Sequence, residues 1–143
     1  GGKTRAVKHI LPLIPDDVKR VCSPFFGGGS VEFALANKGV KVFGYDKMKQ
    51  LVWFWNALCG DNERLADEVE SLRESFVDRN GDNVTGCPKE SFLRYREELK
   101  TDSFMFSYDR AAKFYAINRS SFSGATFSGG WSEKSAQTSN TPF

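Results

Sequence analysis

Between Val18 and Tyr45 the apolar residues fall into two short runs, Val18 to Cys22 and Val40 to Tyr45, separated by a glycine-rich stretch and a polar-apolar segment. The runs predict two strands. Pro24-Phe25-Phe26-Gly27-Gly28-Gly29 predicts a turn, and Ser30 to Asn37 a helix between them. Asp46 stands directly after the second strand. Strand, glycine turn, helix, strand and acid in this order predict the opening βαβ unit of a Rossmann-like nucleotide-binding half, hence an α/β fold.

Around this unit the periodicity is helical. Thr4 to Leu13 carries Val7, Ile10 and Leu11 on one face and Arg5, Lys8 and His9 on the other, and Pro12 and Pro15 end it. Lys47 to Leu58 is too apolar for a surface helix and is expected to cover the sheet; its consecutive Trp53, Phe54 and Trp55 cannot all face one side. Asn62 to Asp78 repeats Leu65, Val69, Leu72 and Phe76 at three- and four-residue steps. Turn signals come next at Asn80-Gly81-Asp82-Asn83, Gly86 and Pro88. Ser91 to Lys100, with Phe92, Tyr95 and Leu99 on one face, and Asp102 to Ile117 predict two more helices. A run of helices where β/α alternation should continue predicts an inserted helical subdomain, dividing the chain into 1–60 and 61–143. Residues 118–131 alternate Ser, Gly and aromatics and predict a β-hairpin or ordered loop, while 132–143 is polar, aperiodic and expected to be irregular.

Composition narrows the classes. A net charge of +2 is too small to argue for nucleic acid by itself, so any basic surface must come from local clustering. Cys22, Cys59 and Cys87 are odd in number and form no Cys-x-x-Cys pair, which reads as free thiols in a reducing compartment. No stretch approaches the length of a membrane span and no basic-then-apolar leader opens the chain, so a cytoplasmic, non-secreted protein with no membrane partner is expected. With His9 the single histidine, a His-based metal site is not expected.

The glycine turn is the candidate chemistry. Glycines at Gly27, Gly28 and Gly29 allow positive φ and close backbone approach, and the amides from Ser30 onward point at whatever the turn holds. Asp46 lies 17 residues after Gly29, against roughly 20 for an acid that accepts from both ribose hydroxyls. A dinucleotide turn reads Gly-x-Gly-x-x-Gly, and Glu32 fills the position of the last glycine, so a nucleoside other than a dinucleotide is the expected ligand.

Taken together, the motifs resemble those of the Dam-type, D12-class N6-adenine DNA methyltransferases. Gly1-Gly2-Lys3 is similar to that family's N-terminal motif, Pro24 to Ser30 to its Pro-Phe-x-Gly-x-Gly-Ser segment, and Tyr45-Asp46 with Asn56 to its strand-end acid and the asparagine beyond it. Ile117-Asn118-Arg119 with Phe122-Ser123-Gly124 resembles the segment opening the target-recognition hairpin, and Ser139 to Phe143 a stretch just past it. The resemblance implies an S-adenosylmethionine-dependent methyltransferase sheet with an inserted target-recognition subdomain and hairpin. It implies cofactor contacts from Lys3, Phe25, Phe26, Gly27, Gly28, Gly29 and Ser30, the ribose on Asp46, and Lys47 or Met48 beside the adenine. It implies double-stranded DNA as partner, with Arg5, Lys8, Arg119, Ser121, Phe122, Ser123, Ala125, Phe127 and Lys134 as the contacting set.

The chain departs from the family pattern at two points. Position 127 is Phe where enzymes reading GATC carry arginine, so GATC specificity is not implied. No Asp-Pro-Pro-Tyr or Asn-Pro-Pro-Tyr occurs, and Asn140-Thr141-Pro142-Phe143 comes after a polar stretch, not the apolar strand that tetrapeptide terminates. That motif holds the exocyclic amine of a flipped adenine. The expectation is therefore the N-terminal portion of a longer enzyme, or one chain of a split one, with cofactor and recognition elements but no catalytic residue and no activity alone. Competing readings are a non-catalytic DNA- or nucleoside-binding module, such as a degenerate methyltransferase or regulatory subunit, and a small Rossmann-like oxidoreductase domain. Methylation of cytosine N4 also stays open on residue grounds.

Overall fold

The structure is a computed structural model that describes residues 4–84, 86–101 and 105–138. The motif at Gly1-Gly2-Lys3 and the stretch Ser139 to Phe143 lie outside the described residues. The chain forms two compact units, Gly1–Lys49 and Gln50–Phe143.

In the first unit, α1 (Val7–Ile10) passes into a 3₁₀ turn at Leu11–Leu13, where Pro12 fits an early helical position. Next come strand β1 (Arg20–Ser23), helix α2 (Ser30–Ala36) and strand β2 (Lys41–Gly44). The strands pair in parallel, Arg20 opposite Lys41 and Ser23 opposite Gly44. This is the crossover expected of a strand-helix-strand unit. Leu35 of α2 is buried, whereas Leu13, Phe25, Phe43 and Tyr45 are exposed.

The second unit is helical: α3 (Lys49–Gly60), α4 (Asn62–Glu74), α5 (Lys89–Thr101), α6 (Tyr108–Ser120) and a short α7 (Glu133–Thr138). Helix α6 is its axis. Ala111 and Ala112, fully buried, let it approach α4, where Leu65 and Val69 close a small cluster with Ala57 of α3. Its Phe114 and Ile117 join Phe92, Tyr95 and Leu99 of α5, with Trp53, Phe76 and Cys87, in a larger one. Caps fix the helix starts: Asp61 accepts from Arg64 N at 3.0 Å, and Ser107 from Arg110 N at 3.2 Å. Trp53 and Ala57 carry α3 into these clusters, so by packing α3 belongs with the helices beyond it, although the sequence grouped it with the sheet.

Three expectations are corrected. Helix α4 ends at Glu74, and Val77 pairs antiparallel with Asn83 around a turn in which the Asp78 carboxylate accepts from Asn80 N and Asp82 N at 2.8 and 3.0 Å. Helix α6 runs on to Ser120, so Asn118 and Arg119 are its last turn and not the arm of a hairpin. Beyond Ser120 the chain forms an ordered loop joined by the bridge Ser121–Trp131, with a 3₁₀ turn at Phe122–Gly124. Serine hydroxyls that bond back to the helix, Ser120 to Ala116 O and Ser121 to Asn118 O, favour a turn there over a ladder. Finally, 133–138 is helical because Ser132 caps it, accepting from Ser135 N at 3.2 Å, with Glu133 in the first turn and Ala136 buried.

Candidate functional site

Two regions gather the sequence-predicted residues, one in each unit. In the first, the chain leaves β1 at Ser23 and enters the glycine turn, whose shape is set from below and from the side. From below, the Phe26 ring lies against both Gly44 and Gly29: a Cβ on Gly44 would collide with Phe26 Cδ2, and one on Gly29 would stand 2.8 Å from Phe26 Cε1 and 2.7 Å from Phe33 Cε2. Phe33 meets Phe26 edge to face at 6.1 Å. Gly29 takes φ +67° and Gly27 φ +54°, the left-handed region that glycine enters without strain. From the side, Phe26 N donates to Tyr45 O and Gly27 N to Asp46 Oδ2, both at 2.9 Å. Met48 N donates to Asp46 Oδ1 at 2.9 Å.

The rim of this turn is open. A Cβ at Gly28 would meet nothing within 4 Å, and Phe25, Tyr45 and Met48 expose apolar surface. Ser30 exchanges a hydrogen bond with Thr4 at 3.2 Å, tying the residue after Lys3 to the start of α2. Lys47, Arg5 and Lys8 are exposed. Sequence reasoning missed the Phe26 wedge and the Ser23 hydroxyl donating to Glu32 Oε1 at 2.5 Å, which uses the residue found where a dinucleotide turn has its last glycine.

In the second unit, the loop after α6 exposes Phe122, Ser123, Gly124 and Ser128. It is held from within. Ser121 is 1% exposed, and its hydroxyl donates to Asn118 O at 3.0 Å and accepts from Thr126 N at 2.9 Å. Asn118 Nδ2 donates to Gly124 O at 3.1 Å, and Arg96 Nη1 of α5 to Gly129 O at 3.3 Å. Trp131 Nε1 donates to Cys87 O at 3.0 Å. Ser123 and Thr126 both take positive φ, 54° and 42°, and for β-branched Thr126 this is an outlier that only a well-braced loop sustains.

The expected DNA-contacting residues therefore divide. Phe122 and Ser123 are at the loop's exposed face and Lys134 is exposed on α7. Ser121 is turned inward, Ala125 is half-buried, and Phe127 packs on the core beside Phe114. Arg119 lines a small cavity with Leu72, Phe76 and Tyr115 between α4 and α6. Nothing in the spacing distinguishes these inward positions from the outward ones.

A parallel strand-helix-strand unit with a glycine turn and a strand-end acid, in a chain with a helical unit bearing a braced loop, defines a mixed α/β protein. The chain matches the family model of the D12 class N6 adenine-specific DNA methyltransferases over residues 1–137, and it belongs to that family. It is similar to the Type II methyltransferase M.MjaIII of Methanocaldococcus jannaschii, 28% identical over 132 residues that cover 87% of this chain and 44% of that protein. The chain thus spans less than half the length of that relative.

Proposed function

We propose that this chain supplies the S-adenosylmethionine-binding and target-recognition parts of a site-specific DNA adenine-N6 methyltransferase. Its catalytic tetrapeptide comes from a further segment or a second chain. The observation that carries the reading is the family match, which runs through both the glycine turn and the recognition loop. The turn's own chemistry favours this cofactor over a dinucleotide. A pyrophosphate site needs free backbone N–H groups. Here the Phe26, Gly27 and Gly29 amides already donate to Tyr45 O, Asp46 Oδ2 and Phe26 O.

S-adenosylmethionine supplies a methyl group on a sulfonium centre. In this reading the turn from Phe25 to Ser30, with Lys3, holds its methionine end, Asp46 faces the ribose, and Lys47 and Met48 flank the adenine. Phe122 and Ser123 of the loop, with Lys134, Arg5 and Lys8, meet double-stranded DNA. Asp-Pro-Pro-Tyr is absent from the sequence, so no residue here is assigned to the adenine amine. Exposed Phe43 on a two-stranded parallel sheet supports a covering segment in the complete enzyme, because parallel strands are ordinarily buried on both faces. No helix among the described residues is long and apolar enough to cross a membrane, and the proposed place of action is the interior compartment that holds the DNA.

Calorimetry with S-adenosylmethionine and with NAD, then transfer of labelled methyl groups to duplex DNA, tests this. The chain should bind S-adenosylmethionine and not NAD. It should methylate DNA only when a polypeptide bearing the tetrapeptide is added. NAD binding without S-adenosylmethionine affinity overturns the cofactor reading; methylated DNA from the chain alone overturns the division of labour; cofactor and DNA binding with no transfer under any complementation leaves a recognition module.

A further inference from the structure

The loop between Ser121 and Trp131 places Ser123, Gly124 and Thr126 close together in the left-handed region, at φ 54°, 67° and 42°. Glycine takes such angles without strain, but a serine and a β-branched threonine seldom do, and residues held there persist only where their surroundings over-determine them. Those surroundings are built from the end of α6. The Ser121 side chain lies beneath the loop, 1% exposed, and its hydroxyl makes two bonds at once: it donates to Asn118 O at 3.0 Å and accepts from Thr126 N at 2.9 Å. Asn118 O belongs to the last turn of α6, whose carbonyls have no partner within the helix, and Thr126 is 4% exposed, so its amide needs an acceptor. One hydroxyl meets both needs and refers the far side of the loop to the helix. A second tie comes from the same turn, Asn118 Nδ2 to Gly124 O at 3.1 Å, and Phe122 N to Gly130 O at 2.9 Å closes the loop's ends. Ser121 is thus buried directly beside Phe122, which is 69% exposed.

We propose that Ser121 is the positioning residue of the loop after α6: its hydroxyl pre-forms the loop before any partner binds, and it acts through the exposed Phe122 and Ser123 instead of touching DNA itself. A loop that had to order on binding would subtract its lost conformational freedom from the affinity. Attraction to phosphates tolerates such a loop, whereas contacts to base edges need side chains already in place. Loosening the loop should therefore cost discrimination between sequences first. The effect on sequence preference rests on reading this loop as the DNA-recognition element; the effect on the loop's shape does not.

The test is amide hydrogen exchange on the ligand-free 143-residue chain, resolved at Thr126, alongside the affinities for two DNA duplexes. One duplex is enriched by the unsubstituted chain from a pool with a randomised central segment; the other carries that segment scrambled. In the unsubstituted protein the Thr126 amide should be protected; exchange at the rate of an unstructured chain would overturn the proposal with no variant needed. In Ser121→Ala, exchange at Thr126 should quicken roughly 10- to 100-fold while the amides of α4 and α5 keep their protection, and the ratio of the two affinities should fall roughly tenfold. Ser121→Cys offers a weak donor and a weak acceptor, so it should fall between the two. If Ser121→Ala does not fold, that variant and the unsubstituted chain decide the matter. Unchanged Thr126 exchange with a lowered ratio would show that Ser121 acts by touching DNA, and would overturn the positioning role. An equal loss of affinity for both duplexes would mark a general loss of structure and overturn it too. Failure of the unsubstituted chain to enrich any duplex would refute the recognition reading and leave the exchange result to decide the loop's shape by itself.

Discussion

Phe127 packs against Phe114, with ring centroids 6.4 Å apart, so the residue at position 127 anchors the loop after α6 on the helical core. Phe114 is itself 3% exposed. Phe127→Ala should therefore act on stability. A fully buried Phe→Ala change costs about 3–5 kcal/mol, and this half-buried site should lose about 1–3 kcal/mol. Urea unfolding monitored by tryptophan fluorescence reads this directly, since Trp53 and Trp131 adjoin the same cluster. A midpoint equal to the unsubstituted protein's would mean that the ring contributes no packing and is free to turn outward.

The first unit has a comparable lock in Phe26 and Gly44. Any Cβ at Gly44 collides with the Phe26 ring, and since no positive φ is recorded there, the obstacle is the ring and not the backbone. Gly44→Ala should destabilise by roughly 1–3 kcal/mol through overpacking. Phe26→Leu introduced in the same chain should recover part of that loss, giving a coupling above about 0.5 kcal/mol in a double-mutant cycle. Thermal unfolding of the four proteins is the measurement, and strict additivity would refute the wedge.

How far the sequence reaches can be seen from single residues. Leu65 and Val69 on one face of α4, and Phe92, Tyr95 and Leu99 on α5, are buried as their spacing requires, because a helix turns every residue of one period toward the same side, whereas Phe76, predicted on the same stripe, is buried from the turn beyond the helix end. The parallel pairing of β1 with β2 was likewise legible, since a strand-helix-strand order permits little else. Illegible were the tasks that depend on side-chain direction in irregular segments. Ser121 and Phe122 are neighbours of similar standing in the motif, yet one is buried and the other exposed. Asp46 lies at the right distance for a ribose acid, and spacing alone does not tell that its oxygens already hold Gly27 and Met48. Helix α7 had a readable signal, Ser132 ahead of Glu133, which the polar composition of the segment masked.

The three cysteines should separate cleanly in a labelling experiment. Cys22 and Cys59 are exposed, whereas Cys87 is 3% exposed and burial, only partly offset by a hydrogen bond with Ser120 and the charge of Arg94, pushes its thiol up to about 12. Thiolate, not thiol, is the reacting species. Iodoacetamide at neutral pH should therefore modify Cys22 and Cys59 in the native chain and reach Cys87 only in denaturant, as peptide mass mapping would show. Native labelling of Cys87 at the pace of the others would contradict its burial.

The same thiol sets a direction for stability at alkaline pH. A group whose pKa is raised on folding keeps its proton in the native state after the unfolded chain has released it, so stability is full below the unfolded value and declines above it. For Cys87 the decline should begin near pH 9.0, its unperturbed value, and run toward about 12, with a limiting slope of about 1.4 kcal/mol per pH unit. Lys113 adds to the loss only from higher pH. Burial pulls its ammonium down, but hydrogen bonds to Glu98 at 2.9 Å and Asp109 at 3.0 Å raise it on balance above 10.5. Between about pH 8 and pH 10 the cysteine can thus be read by itself. Cys87→Ala should shift the urea midpoint by a constant packing offset at about pH 8 and then lose less stability than the unsubstituted protein as the pH rises to about 10. Parallel pH profiles for the two proteins would mean that Cys87 ionises alike in the folded and unfolded chains, and that burial does not hold its proton.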